Sequence, residues 1–312
     1  MCSSDLLCVY LIVRKVDIPS VIIQARKVSF SIFIFTVSFS IFRTWLSGLR
    51  WEMLHPNREN GMSKWSYFRL SMLSHLFNLF MPGALGGDIV KTAYAFNEGQ
   101  GQKVKKVIGV FVDRVIGLIS IMILGMMALL FSHKGLPISP WQVFLLFMVS
   151  GGFIFFLFSS RVVGFFEDIT GRIKFAKRIV SPLFKNWKES IEYYKKNPRR
   201  VFYSLALCIP IHMISFIVYF VFAKSMGMEI KFFEMVFAIA IMWLITAVPI
   251  SIGGMGVREL SLVWLLGLFG VPSEQAVSLA VLGYINAIIK SVISLPLLFD
   301  FRKKESAQKT LI

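Results

Sequence analysis

The chain has 312 residues, of which 56% are hydrophobic and only 16% are charged, and its mean hydropathy is +0.70. A soluble domain of this length needs more polar residues to cover its surface, so the composition excludes a soluble globular protein and indicates a polytopic membrane protein. The net charge of +17 comes from basic residues that flank the apolar runs, which favours anionic lipid headgroups over nucleic acid as partners.

Apolar runs along the chain predict an all-α membrane domain of about seven to nine membrane elements, because lipid offers backbone groups no partner outside a helix. The first run, Leu6–Val13, has about half the length of a span, and we interpret it as an incomplete first helix rather than a signal peptide. Further membrane segments are predicted at Val28–Leu49, Phe68–Leu85, Val107–Phe131, Trp141–Ser160, Val201–Ala223, Phe232–Ile250, Leu260–Gly270 and Ala276–Phe299.

The stretch Arg161–Arg200 is the longest polar part of the chain, with eleven basic residues against four acidic ones. The positive-inside rule places it in the cytoplasm, and its interleaved aromatic residues favour amphipathic helices on the inner leaflet. Basic residues at 302–304 place the C-terminus on the same side. We predict a single transmembrane domain over residues 1–300, with pseudo-repeat halves at 28–160 and 201–300 joined by the basic loop 161–200, and a cytoplasmic tail over 301–312.

Two passages repeat one pattern: Pro, three residues, Gly-Gly, two residues, Val and a basic residue. The first runs from Pro82 to Lys91 and the second from Pro249 to Arg258, so that matching residues are 167 positions apart (249 − 82 and 258 − 91). Proline removes a donor and paired glycines permit unusual backbone angles, so each passage is predicted to break a helix or to make it re-entrant. Two breaks at matching places in two halves are typical of a transporter's central site. The alternative is a pair of simple loop turns that carry interfacial charges.

We predict that amides freed at the two breaks attract an anionic headgroup and that Lys91 and Arg258 contact its phosphate. Asp88 and Glu259 would meet cationic groups or balance charge, and either could take up a proton. Lys290, inside the last span, is interpreted as snorkelling to the interface or as the partner of Glu259. The predicted substrate-binding residues are Asn78, Pro82, Gly86, Gly87, Asp88, Lys91, Ser251, Gly253, Gly254, Gly256, Arg258, Glu259 and Lys290.

Other charges in the apolar runs have structural interpretations. Asp113 and Arg114 lie well inside a span, where ionisable residues are costly, and we expect them to form a structural ion pair beside the first break. A direct role in substrate binding is the alternative. Arg43 and Arg50 stand near tryptophans and are interpreted as an interfacial anchor.

The passages Asn78–Asp88, Asp113–Gly117 and Pro249–Glu259 resemble the lysylphosphatidylglycerol synthase transmembrane (flippase-like) family. The likeness covers roughly residues 28–300. It implies a multi-helix membrane domain with re-entrant segments, which in the best-known members moves aminoacylated phosphatidylglycerol between leaflets. About a dozen residues follow the last predicted span, which leaves no room there for the soluble aminoacyl-transfer domain of fused members. Synthesis of a lysyl-lipid by this chain is therefore not expected.

The sequence thus predicts a flippase-like transporter, not an enzyme, for a membrane phospholipid or an isoprenoid-phosphate lipid, in the cytoplasmic (inner) membrane of a bacterium. No nucleotide-binding motif is present, so we expect passive or ion-coupled transport without a cofactor or metal. One alternative is a membrane-embedded glycosyltransferase-type enzyme with a lipid-linked donor. Another is a non-transporting scaffold that binds anionic inner-leaflet lipids. The oligomeric state stays open, a homo-oligomer included.

Overall fold

The computed structural model describes residues 17–55, 63–81, 86–97, 103–131, 192–247, 251 and 253–298, together with Trp141 and Met148. Within these residues the chain is helical and contains no strand, which confirms the predicted all-α fold. The main helices are α1 (Ile18–Arg26), α2 (Phe30–Leu54), α3 (Lys64–Asn78), α4 (Gly86–Asn97), α5 (Lys103–Leu130), α6 (Pro198–Ser225), α7 (Phe232–Ala247), α8 (Val257–Gly267) and α9 (Ser273–Ser294).

Four of the described helices are long and apolar enough to cross a membrane. These candidate spans are Phe30–Leu54, Val107–Leu130, Pro198–Ser225 and Ser273–Leu298, which correspond to predicted membrane segments. The protein is therefore an integral membrane protein. The short run Leu6–Val13, most of the predicted span Trp141–Ser160, most of the basic loop and the tail at 301–312 lie outside the described residues.

Two pairs of shorter helices stand where the sequence predicted interrupted segments. The first pair is α3 and α4, with 15 and 12 residues, and the second is α7 and α8, with 16 and 11 residues. Each helix is shorter than the roughly 20 residues that a spanning helix needs. Each glycine passage therefore lies between two short helices and not at the end of a full-length membrane span.

Local sequence signals explain where several helices begin. The side chains of Asp17, Ser29 and Ser63 accept hydrogen bonds from the amides three residues later, at the starts of α1, α2 and α3. These contacts satisfy one of the free amides that every helix N-terminus has. Helix α1, which the sequence analysis did not predict, packs against α9.

The main apolar core lies between the second pair of short helices and the long helix α6. Its fully buried side chains include Phe216 and Phe222 of α6, Met235 and Ile239 of α7, and Leu262 of α8. Helix α7 also packs against α5, and α6 packs against α2. Large apolar side chains such as Phe30, Leu130 and Trp264 are exposed. An apolar exterior of this kind suits contact with lipid, and it leaves the polar faces of α2, α5, α6 and α9 to turn inward.

Candidate functional site

The first break joins the end of α3 to the start of α4 through side-chain contacts. The Gly87 amide donates to Asn78 Oδ1 at 2.6 Å, and Ser74 Oγ donates to the Gly87 carbonyl at 3.1 Å. A Cβ added at Gly87 would lie 2.7 Å from Ser74 Cβ, which is closer than such atoms approach. Glycine is therefore required here because the two helices touch at this point.

The second break has the backbone geometry that glycine permits. Gly253, Gly254 and Gly256 have φ values of +60°, +79° and +77°, in the left-handed region that side chains disfavour. Helix α8 begins directly afterwards, and the carboxylate of Glu259 accepts from the Gly256 amide at 2.6 Å. The carboxylate therefore caps the helix from within its first turn.

The structure brings the two breaks into direct contact. The Gly253 amide, in the second passage, donates to the carbonyl of Met81, the residue directly before the first passage, at 3.1 Å. Arg114 of α5 connects them a second time, because it forms an ion pair with Asp88 at the start of α4 and donates to the carbonyl of Ala247, the last residue of α7, at 3.3 Å. One arginine thus links both pairs of short helices.

The prediction that the freed amides face an anionic guest is wrong for three of the glycines. The amides of Gly87, Gly253 and Gly256 donate to Asn78, Met81 and Glu259 inside the protein. An amide without a partner is costly in a membrane interior, so the protein satisfies these groups itself.

Next to the two breaks, a cavity of about 410 Å³ opens between the helices. Six basic side chains line it against two carboxylates, Asp88 and Asp113, so that basic groups exceed acidic groups by four among the described lining residues. The cations are Arg43, Arg50, Lys91, Arg114, Arg258 and Lys290. Cations, and not backbone amides, therefore give this site its positive charge.

The cavity gathers only part of the predicted substrate-binding set. The residues on its wall are Asn78, Asp88, Lys91, Gly253, Arg258 and Lys290. The predicted residues that do not line it are Gly86, Gly87, Ser251, Gly254, Gly256 and Glu259. Pro82 lies outside the described residues, as does Pro249. The glycines shape the contact between the breaks, while the side chains beyond them form the wall.

Both carboxylates of the cavity are held by cations on other helices. Asp113 lies 2.8 Å from Arg50 Nε and 3.7 Å from Lys91 Nζ, and all three residues are buried. Asp88 pairs with Arg114. The predicted ion pair between Asp113 and Arg114 is therefore wrong, because consecutive residues of a helix point in different directions and each reaches a different neighbour.

Three cations of the cavity have no carboxylate partner among the described residues: Arg43, Arg258 and Lys290. Lys290 is only 4% exposed, and the Arg258 guanidinium lies 5.0 Å from the centre of the Tyr284 ring. The predicted pair of Lys290 with Glu259 does not form, because the Glu259 carboxylate is used at the start of α8.

Arg43 and Arg50 are cavity residues that the sequence analysis interpreted as an interfacial anchor. They lie on one face of α2 with Ser40 and Ser47, and all four line the cavity. The spacing of three, four and three residues, within an otherwise apolar span, is the signal that could have found them. A polar stripe of this kind indicates a helix face that turns away from lipid.

Comparison with models of protein families gives a match over nearly the whole chain. The family model described as the lysylphosphatidylglycerol synthase TM region matches residues 3–291, a range that includes both breaks and every residue of the cavity wall. No curated protein and no solved structure shows significant similarity to the chain.

Proposed function

Because the chain belongs to the lysylphosphatidylglycerol synthase transmembrane family, we propose that it is a lipid transporter that moves a phosphate-bearing lipid between leaflets. The observation that carries the proposal is the cationic cavity beside the two meeting breaks. Its volume of about 410 Å³ suits a headgroup, while the acyl chains would stay in the bilayer.

The cost of the unpaired cations supports a bound anion. An arginine or lysine at the centre of a membrane helix costs roughly 2.5–3.5 kcal/mol on insertion scales. Arg43 in α2 and Lys290 in α9 lie within candidate spans, and Arg258 lies at the start of α8. None of the three has a carboxylate partner among the described residues. A phosphate in the cavity would offset this cost through charge-assisted hydrogen bonds.

The contacts between the breaks suggest how the lipid would move. In the proposed mechanism the two pairs of short helices are re-entrant and belong to the halves 28–160 and 201–300. Rocking of one half against the other would disturb the bond between Gly253 and Met81 and the two contacts of Arg114. These contacts would therefore stabilise one of the two conformations between which the transporter alternates.

The proposal also includes the membrane in which the protein lies, its orientation there and the driving force for transport. The basic stretch Arg161–Arg200 would lie on the cytoplasmic side of a bacterial inner membrane and contact anionic lipids there. Transport without a nucleotide would follow a lipid gradient or an ion gradient. The proposed activity changes no bond in the lipid, which separates it from a lipid-linked transferase.

Reconstitution tests the proposal directly. Purified full-length protein is placed in vesicles that carry phospholipids labelled with a fluorophore on an acyl chain, and dithionite then bleaches the label in the outer leaflet. A transporter lets bleaching proceed beyond the outer half, and lipids extracted afterwards have unchanged masses. A new lipid species would indicate a transferase, and bleaching that stops at about half would contradict transport.

Two matched variants connect the activity to the cavity. Arg258→Gln removes a charge from the cavity wall, and we expect it to slow bleaching of the inner leaflet. Lys27→Gln removes a charge from an exposed position after α1 and is expected to leave the rate unchanged. Equal rates for the two variants would mean that lipid does not pass through the cavity.

A further inference from the structure

The charge of the cavity is larger than one ordinary phospholipid headgroup would neutralise. Among the described residues, its two carboxylates already compensate two of its six cations. The remaining excess is four. Three of these basic groups lack a carboxylate partner, namely Arg43 on α2, Arg258 on α8 and Lys290 on α9, and the fourth belongs to the cluster around Asp113. A zwitterionic headgroup brings no net charge, and a phosphodiester brings one negative charge.

Two hydrogen-bond donors on the cavity wall are unsatisfied. Arg258 Nε and Asn286 Nδ2 are buried without a hydrogen-bond partner. Asn286 is 5% exposed and lies one turn before Lys290 on the same face of α9, so its amide and the ammonium project toward the same part of the cavity. Donors placed in this way require a ligand that is rich in acceptor oxygens.

We infer that the cavity selects a lipid whose headgroup is a phosphomonoester or a diphosphate. This inference rests on the proposed function, because it assigns the headgroup class to the same cavity. A phosphomonoester carries about −1.5 to −2 charge at neutral pH and three acceptor oxygens. Its three oxygens offer an acceptor to each of the three unpaired basic groups, and its charge compensates more of their excess than a phosphodiester does.

The same observations disfavour a cationic, aminoacylated headgroup. Its ammonium would need a carboxylate in the cavity, and both carboxylates there are held by arginine or lysine side chains. It would also lie close to Arg43 and Lys290, which repel it in a region of low dielectric. The cavity thus favours a headgroup with more negative charge than a phosphodiester carries.

Competitive binding tests the inference without requiring transport. The full-length protein in detergent micelles is mixed with equal amounts of phosphatidic acid, phosphatidylglycerol, phosphatidylcholine and lysyl-phosphatidylglycerol with identical acyl chains, and native mass spectrometry measures which lipid stays bound. We expect phosphatidic acid to exceed phosphatidylglycerol at least about tenfold, with the lysyl lipid bound least. A parallel mixture with a polyisoprenyl phosphate distinguishes a glycerolipid from an isoprenoid carrier of the same phosphomonoester.

Variants locate the preference within the protein. Lys290→Gln and Arg258→Gln should each reduce the preference for phosphatidic acid to about threefold or less, because each removes one charge-assisted contact. Arg43→Gln provides the same test from a third helix if either variant fails to fold. The exposed control Lys27→Gln should keep the full preference.

The outcomes separate this inference from the proposed function. Equal binding of the four lipids, or stronger binding of the lysyl lipid, overturns the inference, and the vesicle assay then decides on transport by itself. A preference that survives both cavity variants also overturns it, since the selectivity would arise elsewhere. A preference for phosphatidic acid that depends on the cavity, combined with no lipid movement in vesicles, supports the headgroup assignment and refutes transport.

Discussion

Asp113 is the residue whose replacement should destabilise the protein most clearly. It is 4% exposed, and its carboxylate contacts Arg50 and Lys91, each of which is 7% exposed. Asp113→Asn leaves the shape of the site unchanged and removes the negative charge. Arg50 and Lys91 then lose the carboxylate that compensates their charge. Removing one partner of a buried ion pair lowers the free energy of unfolding by about 3–5 kcal/mol.

The size of the expected effect depends on the hydrogen bond that the asparagine retains. Its carbonyl oxygen can still accept from Arg50 Nε, which lies 2.8 Å from the aspartate oxygen, so we expect the lower end, about 3 kcal/mol. For a chain of 312 residues that loss lowers the unfolding midpoint by about 5 °C. The assay is thermal unfolding of the purified protein in detergent micelles.

A matched substitution and a double-mutant cycle make this prediction specific. Glu274→Gln is the same change of carboxylate to amide at the start of α9, where no ion pair with a described residue forms, and it should cost less than about 1 kcal/mol. In the cycle, Arg50→Gln should cost less in the Asp113→Asn background, with a coupling of about 2 kcal/mol. Additive effects of the two substitutions would refute the proposed charge compensation.

Three further substitutions test the breaks. Gly87→Ala places a Cβ within 2.7 Å of the facing helix and should lower the free energy of unfolding by about 1–3 kcal/mol. The control Gly267→Ala meets no atom within 4 Å and should leave the free energy of unfolding unchanged. Equal effects of the two substitutions would contradict the close approach of the helices at Gly87. Arg114→Lys keeps the charge but cannot span both breaks, so we expect lipid movement in vesicles to slow about tenfold, and an unchanged rate would count against this link. Glu259→Gln weakens the cap of α8 and should lower stability by about 0.5–2 kcal/mol, and a loss of 4 kcal/mol or more would show that this carboxylate has a partner other than the cap.

Parts of the fold could be predicted from the sequence because they depend on local composition. Long apolar runs located α2, α5, α6 and α9, since a span is defined by its length and hydropathy. The paired glycines located both helix breaks. The short helix α1 was missed because nine residues give too little periodicity for a prediction.

The details of the site depended on contacts that no local pattern contains. Hydropathy does not show which face of a span turns to a cavity, so Arg43 appeared to be an anchor at the interface. Asp113 and Arg114 were correctly identified as ionisable residues inside a span, but their partners lie on helices that are distant in sequence. The amide of Gly253 is satisfied by Met81, more than 150 positions earlier, and only the packed fold reveals that bond.

Photo-crosslinking in nanodiscs tests most directly whether a lipid headgroup occupies the cavity. A phosphatidic acid analogue with a diazirine next to the phosphate is activated by light, and mass spectrometry then maps the residues that it modifies. Crosslinks at Leu118, Ile121 and other residues of the cavity wall are the predicted result, with loss of those crosslinks in Lys290→Gln. Crosslinks confined to outward-facing side chains such as Phe30 and Trp264 would contradict a headgroup site inside the protein.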